Sequence, residues 1–427
     1  MSSFPSFADI STKFSEATLD EIIRNKGGTR HTSYKFGPSG KKGDAYLSRV
    51  FRITIYGVRE ADAEAGRDEE QLEVSVIVKA MPDNLHRRRL FRSVIFFRNE
   101  IHFYTKVIPA IEAFQKSRQP APKKPFVEFP LCLASLCDGV NDFIALEDVG
   151  PRGYKAPVRQ DYISLEDALL TMRTLGRFHG VALAFNALDH ENFEKAAGSL
   201  EETYYGEHTR EWYTGFLLLA ENVAKDAIKQ VYPDTKYETV AENFLQAPLF
   251  DDLINLVSTR SKLSVFGHGD CWTPNFLTKY NEQGESQEII IIDFQLARCS
   301  SLALDLSFFI YSCTSQELRE QHYDKLLRAY LESAQDLIQD LGGNAEAIIS
   351  WESLQEELKN FGRFGCGMGI ESLPMTMMED EEVADLDGIK ENAILTDIWN
   401  ITPFKQPAKQ QRLADIFKHA IDQGYIK

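Results

Sequence analysis

Apolar and polar positions alternate in the first part of the chain and recur at helical spacing in the second. The runs AYLSRVFRITIYGV and VSVIVKA predict two neighbouring antiparallel strands, joined by the acidic stretch 59–73 as a solvated loop. Helical spacing over residues 16–26 and 85–116 predicts helices on either side of these strands, and Pro109 should break or kink the longer helix near its middle. These elements predict a small β-rich unit with one long helix.

The apolar runs PLCLASL and DFIALEDV flank CDGVN and predict a hairpin, after which GPRGYKAP is rich in glycine and proline. From about residue 158 helical spacing dominates, and strands return only in SVFGHGD, NFLTKY and EIIIIDF. The predicted fold class is α+β with two lobes. Its parts are an N-terminal lobe over residues 1–148, a hinge over 149–157 and a larger helical C-terminal lobe over 158–427.

Composition narrows the class of partner. The chain of 427 residues has 47 Lys and Arg against 64 Asp and Glu, a formal charge of -17, which is the wrong sign for nucleic acid or an anionic membrane surface. The partner is therefore expected to be a small molecule, and no obligatory protein partner is evident. No secretory pattern or membrane span is recognised, and the six cysteines show no CxxC pairing, so a cytoplasmic protein with reduced thiols is expected.

The strongest chemical signal lies where the strands return. The tripeptide HGD at 268–270 is followed by Asn275, and an apolar strand then ends in DFQ at 293–295. Phosphoryl transfer from ATP requires a carboxylate facing the acceptor hydroxyl and oxygen ligands that hold Mg²⁺ on the phosphates. We predict Asp270 as the catalytic base and Asn275 with Asp293 as Mg²⁺ ligands, although each residue alone is also a common turn or cap former.

A second pair of residues has the order of an ATP-positioning pair. Lys79 lies near the end of the strand VSVIVKA, and Glu100 lies on the amphipathic helix that follows. In kinases a lysine in this position contacts the α- and β-phosphates of ATP, and a glutamate holds the lysine. The alternative is an exposed strand-end lysine and a solvated helix carboxylate. Their place ahead of the HGD and DFQ segments favours the ATP-binding interpretation.

The segment GPSGKKGDAYLS lies where a loop covering the nucleotide should be. It carries three glycines but does not match GxGxxG, so its phosphate-binding signal rests on position alone. The backbone N–H of Gly43 and the hydroxyl of Ser48 are the candidate phosphate contacts. A plain flexible turn is the alternative for each of these residues.

The motifs together resemble a known family. HGDCWTPNFL with IIDFQLARCSSLALDLSFFIY closely resembles the ecdysteroid kinase-like family, also described as choline-kinase-like and found mainly in insects, and LGRFHGVALA, FRNEIHFY and FIALEDVG look similar to it, over residues about 40 to 340. The family is related to aminoglycoside phosphotransferases and choline kinases. The resemblance implies a two-lobed protein-kinase-like fold and phosphorylation of small alcohols such as ecdysteroid hormones.

By position, the resemblance implies roles for further residues. Leu146, Glu147 and Asp148 would form the hinge beside adenine, where backbone groups make the contacts. Asp305, in LALDLSFF, would anchor the catalytic loop, and a helix N-terminal cap is the equally simple alternative. His268 is expected to hold the loop rather than to exchange protons.

Three hypotheses for function follow. DFQ stands where protein kinases have DFG and no APE segment is found, so protein substrates are disfavoured. The first hypothesis is an O-kinase for an ecdysteroid or similar steroid or xenobiotic alcohol, with FGRFGCGMG, LPMTMM, Trp351 and Trp399 as candidate walls of an apolar pocket. The alternatives are a choline- or aminoglycoside-type kinase, whose cationic substrate the acidic run 378–387 would bind, and a catalytically silent binding protein of the same fold.

Overall fold

A five-stranded antiparallel sheet forms the first lobe. In the computed structural model, which describes residues 5–38, 47–60, 69–379 and 386–427, the strands lie in the order β1-β2-β3-β5-β4. The bounds are β1 Arg30–Phe36, β2 Arg49–Arg59, β3 Glu70–Ala80, β4 Cys132–Leu136 and β5 Phe143–Glu147. The antiparallel pairing of β2 with β3 and the β4–β5 hairpin are confirmed. Strand β1 was not predicted, because it is an exposed edge strand without apolar alternation.

One face of this sheet is covered by two N-terminal helices, α1 (Phe7–Ile10) and α2 (Glu16–Asn25). Helix α2 has the predicted spacing of apolar residues, and Leu19, Ile22 and Ile23 are fully buried against the sheet. The inward positions of β3 include Val76 and Val78, which are also fully buried. The inward-facing residues of β3 and the apolar face of α2 thus pack together in a separate N-lobe core, as the two-residue period of the strand and the helical period of α2 predict.

The predicted long helix is three helices in the structure, α3 (Leu85–Leu90), α4 (Ser93–His102) and α5 (Ile108–Ser117). Arg92 interrupts the path between α3 and α4 with a left-handed φ of 51°. A wide π-helical turn over Phe103–Val107 joins α4 to α5, so the irregularity directly precedes Pro109, which occupies the first turn of α5. A proline lacks a donor N–H and is tolerated there, so the chain continues past it as a helix.

Five short strands return in the second lobe. They are β6 Tyr154–Lys155, β7 Ser264–Gly267, β8 Phe276–Tyr280, β9 Ser286–Ile291 and β10 Arg298–Ser301. Strands β6, β8 and β9 form one antiparallel sheet, and β7 pairs with β10. The predicted strands β7, β8 and β9 are confirmed. Strand β10 was missed because its sequence, RCSS, has no apolar run and becomes a strand only through pairing with β7.

The remaining described residues of the second lobe are mainly helical. The helices are α6 Leu165–Leu188, α7 His190–Ala197, α8 Arg210–Val231, α9 Lys236–Gln246, α10 Leu249–Ser258, α11 Leu302–Cys313, α12 Gln316–Asp340, α13 Ala345–Ile348, α14 Trp351–Phe361, α15 Phe364–Thr376, α16 Leu395–Ile398 and α17 Pro407–Asp422. Helices α6 and α12 pack unusually closely, since a Cβ on Gly176 would collide with the Tyr330 carbonyl oxygen and one on Gly180 would lie 2.9 Å from that of Ala334.

The α+β, two-lobed fold class is therefore confirmed, with a β-rich N-terminal part and a helical remainder. The exact lobe boundaries at 148 and 158 stay a prediction. Within the described ranges, no helix has the length and apolar character needed to cross a membrane.

Candidate active site

The HGD tripeptide forms a tight loop at the end of β7. Gly269 has a left-handed φ of +81°, and a Cβ there would collide with the carbonyl oxygen of Leu296, so only glycine fits this turn. The fully buried ring of His268 bridges two segments: its Nε2 lies 2.8 Å from the carbonyl oxygen of Ile292, and its Nδ1 accepts a 3.1 Å hydrogen bond from the backbone N–H of Asp270. Burial lowers the pKa of His268. This geometry fits the expected role of holding the loop.

Asp305 fixes the same loop from helix α11. Its carboxylate accepts hydrogen bonds from the backbone N–H groups of His268, at 2.6 Å, and Gly269, at 2.9 Å. His179 Nε2 lies 3.1 Å from the same carboxylate. The N-terminal cap of α11 is Ser301, whose hydroxyl accepts from Ala303 N–H, so the helix-cap alternative for Asp305 does not describe the structure. Asp305 therefore contacts the backbone of the HGD loop, and its role as the anchor of a catalytic loop stays a prediction.

The ionisation of Asp305 is consistent with this anchoring. Burial alone would raise its pKa, but the hydrogen bond and charge of His179, the charge of His268 and the Gly269 N–H outweigh burial and hold the pKa at about 2. His179 is itself fully buried on α6, with Nδ1 2.9 Å from the Tyr330 hydroxyl. It is a hydrogen-bonded core histidine remote from solvent.

Asp270 and Asn275 meet as the five-residue spacing predicts. The Asn275 amide donates to the backbone oxygen of Asp270, at 2.9 Å, and to its carboxylate Oδ2, at 3.1 Å. Burial and the nearby negative charge of Asp293 raise the pKa of Asp270 to about 7, although the Asn275 hydrogen bond opposes the shift. Because the amide nitrogen is used for Asp270, the amide oxygen of Asn275 is the group left to act as a ligand.

Asp293 follows β9 in a left-handed conformation, with φ 69° and ψ 65°. The next residue, Phe294, is fully buried and stacks on Phe103 with ring centroids 3.9 Å apart. Asn99 on α4 donates to the carbonyl oxygens of Gln295, at 3.1 Å, and Ala297, at 2.8 Å. Helix α4 and the π-helical turn therefore hold the DFQ segment in place, a connection that sequence reasoning missed because Asn99 has no local signature.

Lys79 joins the lobes at this point. Its ammonium lies 2.8 and 2.9 Å from the two carboxylate oxygens of Glu100 and 2.8 Å from Asp293 Oδ1. Burial opposes the charge of Lys79, but Asp293 and Glu100 outweigh burial and raise the lysine pKa. Burial also raises the pKa of Glu100 against the attraction of Lys79. The structure thus brings together the predicted pair and one predicted metal ligand.

The donor set fits a magnesium ion shared with phosphate. Among the described residues, no group of three or more His, Cys, Asp and Glu side chains is arranged to hold a metal ion alone. Mg²⁺ commonly takes one or two protein carboxylates and completes its shell with substrate phosphates and water. The Asp293 carboxylate, whose side chain is 26% exposed, and the Asn275 amide oxygen are hard oxygen donors of this kind.

These groups open onto a cavity of about 690 Å³ between the lobes. One part of its wall comes from the N-lobe strands, the predicted hinge and the strands near Asp293, and includes Leu47, Ser48, Val50, Arg52, Ile77, Lys79, Pro130, Leu146, Glu147, Asp148, Val149, Gly150, Asn275, Leu277, Ile292 and Asp293. Ser48 and the predicted hinge residues therefore lie in the wall. Gly43 falls outside the described residues, so its predicted phosphate contact stays a prediction.

The side chains at the hinge are engaged by other protein groups. Asp148 Oδ2 pairs with Arg52 at 2.7 Å, and Asp148 Oδ1 accepts from the Gly150 N–H at 2.9 Å. Glu147 pairs with Lys26 at 3.1 Å. The Asp148 carboxylate thus holds the backbone of the turn, and Glu147 ties it to α2 through Lys26; contact of this segment with adenine stays a prediction.

The other half of the cavity, called here the acceptor half, lies between the catalytic loop and the C-terminal helices. It is lined by Phe91, Phe96, Tyr204, Trp212, Phe216, Asp270, Trp272, Pro274, Gln295, Leu296, Met368, Glu371, Ser372, Met375 and Trp399. Met368, Met375 and Trp399 belong to the predicted walls. Trp351 does not line the cavity and instead packs under Arg328, with the guanidinium carbon 4.2 Å from its ring centroid.

Sequence reasoning missed most of this acceptor half. Phe96, Tyr204 and Trp212 form a chain of ring contacts from α4 across to α8, and Phe216 contacts Trp399 at 5.0 Å between centroids. These rings come from distant parts of the chain, where each looks like an ordinary core residue. The sequence could have indicated Glu371 as a pocket residue, because it is a lone carboxylate between the apolar stretches FGRFGCGMG and LPMTMM.

The comparison with solved structures finds kinases and phosphotransferases of low sequence identity. The GDP complex of aminoglycoside 2'-phosphotransferase-IIIa is 15% identical with a TM-score of 0.36, and 83% of this chain and 88% of that chain are covered. Plasmodium vivax ethanolamine kinase is 12% identical with a TM-score of 0.39, and 82% of this chain and 78% of that chain are covered. Choline kinase from Streptococcus pneumoniae is 13% identical with a TM-score of 0.36, and 84% of this chain and 96% of that chain are covered.

A search of curated proteins finds no match. The model of the ecdysteroid kinase-like family matches residues 42–343, which span the β2–β3 strands, the Lys79–Glu100 pair, the catalytic loop and the anchor Asp305. The match covers most of the chain and confirms the resemblance of the motifs. The chain therefore belongs to the ecdysteroid kinase-like family.

Proposed function

We propose that this protein is an ATP- and Mg²⁺-dependent kinase that phosphorylates a hydroxyl of a predominantly apolar small molecule, of the ecdysteroid or xenobiotic alcohol type. The observation that carries the proposal is the meeting, in one cavity, of Lys79 and Asp293 with Asp270 and Asn275, with Glu100 bonded to Lys79. These are the groups that phosphoryl transfer requires, and none is replaced.

Each residue has a task in this proposal. Lys79, held by Glu100, contributes a positive charge where the phosphates lie, and Asp293 with Asn275 supplies oxygen ligands. Asp270 orients the acceptor hydroxyl and accepts its proton, a task that suits a carboxyl group whose pKa burial raises to about 7. When bound, Mg·ATP supplies the transferable phosphoryl group and neutralises the charge that develops on it.

The acceptor half supports an apolar substrate. Aromatic rings, methionines and Leu296 make up most of its wall, as a large apolar ligand requires. The acidic run that would favour a cationic substrate contributes nothing to the described wall. Residues 380–385 of the run lie outside the described residues, and Glu379 pairs with Lys409 at 3.1 Å.

The test is a substrate screen with purified protein and Mg·ATP. Ecdysteroids, plant and fungal alcohols, choline and aminoglycosides are incubated with the enzyme, and mass spectrometry scores phosphate adducts. We expect an adduct on a steroid-like or xenobiotic alcohol, none with Asp270→Asn, and an unchanged result with Asp336→Asn, an exposed residue of α12.

Other outcomes would decide between the alternatives. An adduct only on choline or an aminoglycoside would replace the apolar acceptor by a cationic one. ATP binding without any adduct, in a protein that melts cooperatively, would favour the binding-protein alternative. Full activity of Asp270→Asn would contradict the assigned mechanism.

A further inference from the structure

Glu371 is a buried carboxyl group in the wall of the acceptor half that the phosphate-transfer machinery does not use. It lies on α15, is 3% exposed, and both its carboxyl oxygens are 3.1 Å from the Tyr205 hydroxyl. Within the described part of the chain, no basic side chain forms an ion pair with it. Burial raises the pKa of Glu371 well above its usual range, against the Tyr205 hydrogen bond.

A carboxyl group in this setting is not fully satisfied by one hydroxyl. The Tyr205 O–H has one proton for three nearby acceptors, the two oxygens of Glu371 at 3.1 Å and Met368 Sδ at 3.0 Å. A protonated carboxyl still has its own O–H donor and further lone pairs, and buried polar groups generally find partners for them. Because Glu371 lines the cavity, a ligand oxygen can supply a further partner: it accepts from the carboxyl O–H and, if it is a hydroxyl, it also donates to the carboxyl.

The surroundings of Glu371 favour a ligand with an apolar body. Met368 and Met375 lie one turn away from it on the same helix and line the same wall, so the body of the ligand meets apolar surface. Arg298 packs against the Tyr205 ring, with its guanidinium carbon 6.0 Å from the ring centroid, and is itself paired with Glu202 at 2.8 Å. Asp270, also in the acceptor half, is the carboxyl assigned to the reacting hydroxyl.

We propose that Glu371 determines acceptor specificity by hydrogen-bonding a second oxygen, a hydroxyl or a ketone, on an apolar alcohol whose reacting hydroxyl lies at Asp270. The proposal rests on the kinase function proposed above and adds a substrate requirement to it. The acceptor is a neutral diol or hydroxyketone with an apolar body, and a mono-alcohol of the same shape binds more weakly.

The experiment measures binding and phosphorylation separately. Matched pairs of a diol and a mono-ol, from bicyclic terpenoids to steroids, and choline as the cationic probe, are titrated by calorimetry into the Mg²⁺–nucleotide-bound full chain. The wild type is compared with Glu371→Gln, Glu371→Leu and Glu357→Gln. Glu357 is a matched control, since it is a buried glutamate that bonds Ser261 at 2.6 Å and is absent from the cavity wall.

We expect the wild type to prefer the diol of at least one pair by about tenfold or more, the scale of one buried hydrogen bond. Glu371→Gln, which keeps a donor and an acceptor, retains most of the preference, and Glu357→Gln retains all of it. Glu371→Leu binds diol and mono-ol equally, and phosphorylation of the diol shows a raised KM with little change in kcat. Should Glu371→Leu fail to melt cooperatively, Glu371→Met replaces it.

Three results would overturn the proposal: equal affinities for every pair in the wild type, an undiminished preference in Glu371→Leu, or choline binding that Glu371→Gln abolishes. The proposed function fails differently. If no acceptor is phosphorylated but diol preference depends on Glu371, the specificity assignment stands and the transfer assignment falls. If an acceptor is phosphorylated but its binding does not depend on Glu371, the transfer assignment stands and the specificity assignment falls.

Discussion

The Lys79 ammonium lies 2.8 Å from the Asp293 carboxylate, although 214 residues separate them in the chain. One residue belongs to the N-lobe sheet and the other follows a strand of the second lobe. Their contact, together with that of Lys79 and Glu100, links the two lobes. Lys79 also places a positive charge between the carboxylates of Glu100 and Asp293. Replacing Lys79 is therefore expected to affect both the stability of the fold and the proposed activity.

Lys79→Met is expected to reduce kcat/KM for ATP by about 10²- to 10³-fold, because a positive charge on the phosphates is lost. It also leaves buried Glu100 without its partner, a change that costs about 3–5 kcal/mol in comparable buried pairs. Glu100→Gln in the same chain should restore much of the denaturation midpoint and none of the activity. Lys106→Met, at an exposed position, is the control. Restored activity in the double variant would contradict the role of Lys79.

Asp305→Asn is expected to destabilise the protein and to lower kcat while the ATP affinity changes little. An amide presents one acceptor oxygen where the carboxylate serves the His268 and Gly269 N–H groups and His179, so the catalytic loop loses part of its anchor. Urea denaturation at neutral pH should show that the free energy of unfolding falls by about 2–3 kcal/mol. This magnitude follows from the difference between the folded-state pKa of Asp305, about 2, and its usual value of 3.8.

The pH dependence of this stability has a definite sign. The folded-state pKa of Asp305 lies below its unfolded value, so its contribution is fully present above about pH 4 and is lost as the pH falls towards 2. The difference in unfolding free energy between the wild type and Asp305→Asn should therefore narrow over this range. A difference that stays constant, or one that is absent at pH 7, would show that the carboxylate does not anchor the loop.

Gly176→Ala should lower the free energy of unfolding by about 1–3 kcal/mol, the usual cost of overpacking. A Cβ at this position meets the Tyr330 carbonyl of α12, and the backbone must move apart to accept it. Gly215→Ala is the matched control in helix α8, where the nearest atom is 3.7 Å away, and it should stabilise by up to about 1 kcal/mol through helix propensity. Thermal melting of both variants checks the difference in sign. Equal effects would mean that α6 and α12 pack less closely than the structure shows.

The sequence by itself determined the parts of this protein whose signals are local or ordered along the chain. Strand and helix periods predicted β2, β3 and α2. The motifs predicted which residues meet at the candidate site, namely Lys79 with Glu100 and Asp270 with Asn275, because the spacing of a loop or strand fixes where such side chains point. The family resemblance named the anchor Asp305.

Only the tertiary structure decided the acceptor half and the supports of the site. Phe96, Tyr204 and Trp212 line this half of the cavity, and their local patterns are those of ordinary core residues. Asn99 became a support because α4 lies against the DFQ segment. Strand β10 exists through its pairing with β7. Long-range packing determines these contacts. A local sequence pattern does not show which distant residue will pack against a given side chain.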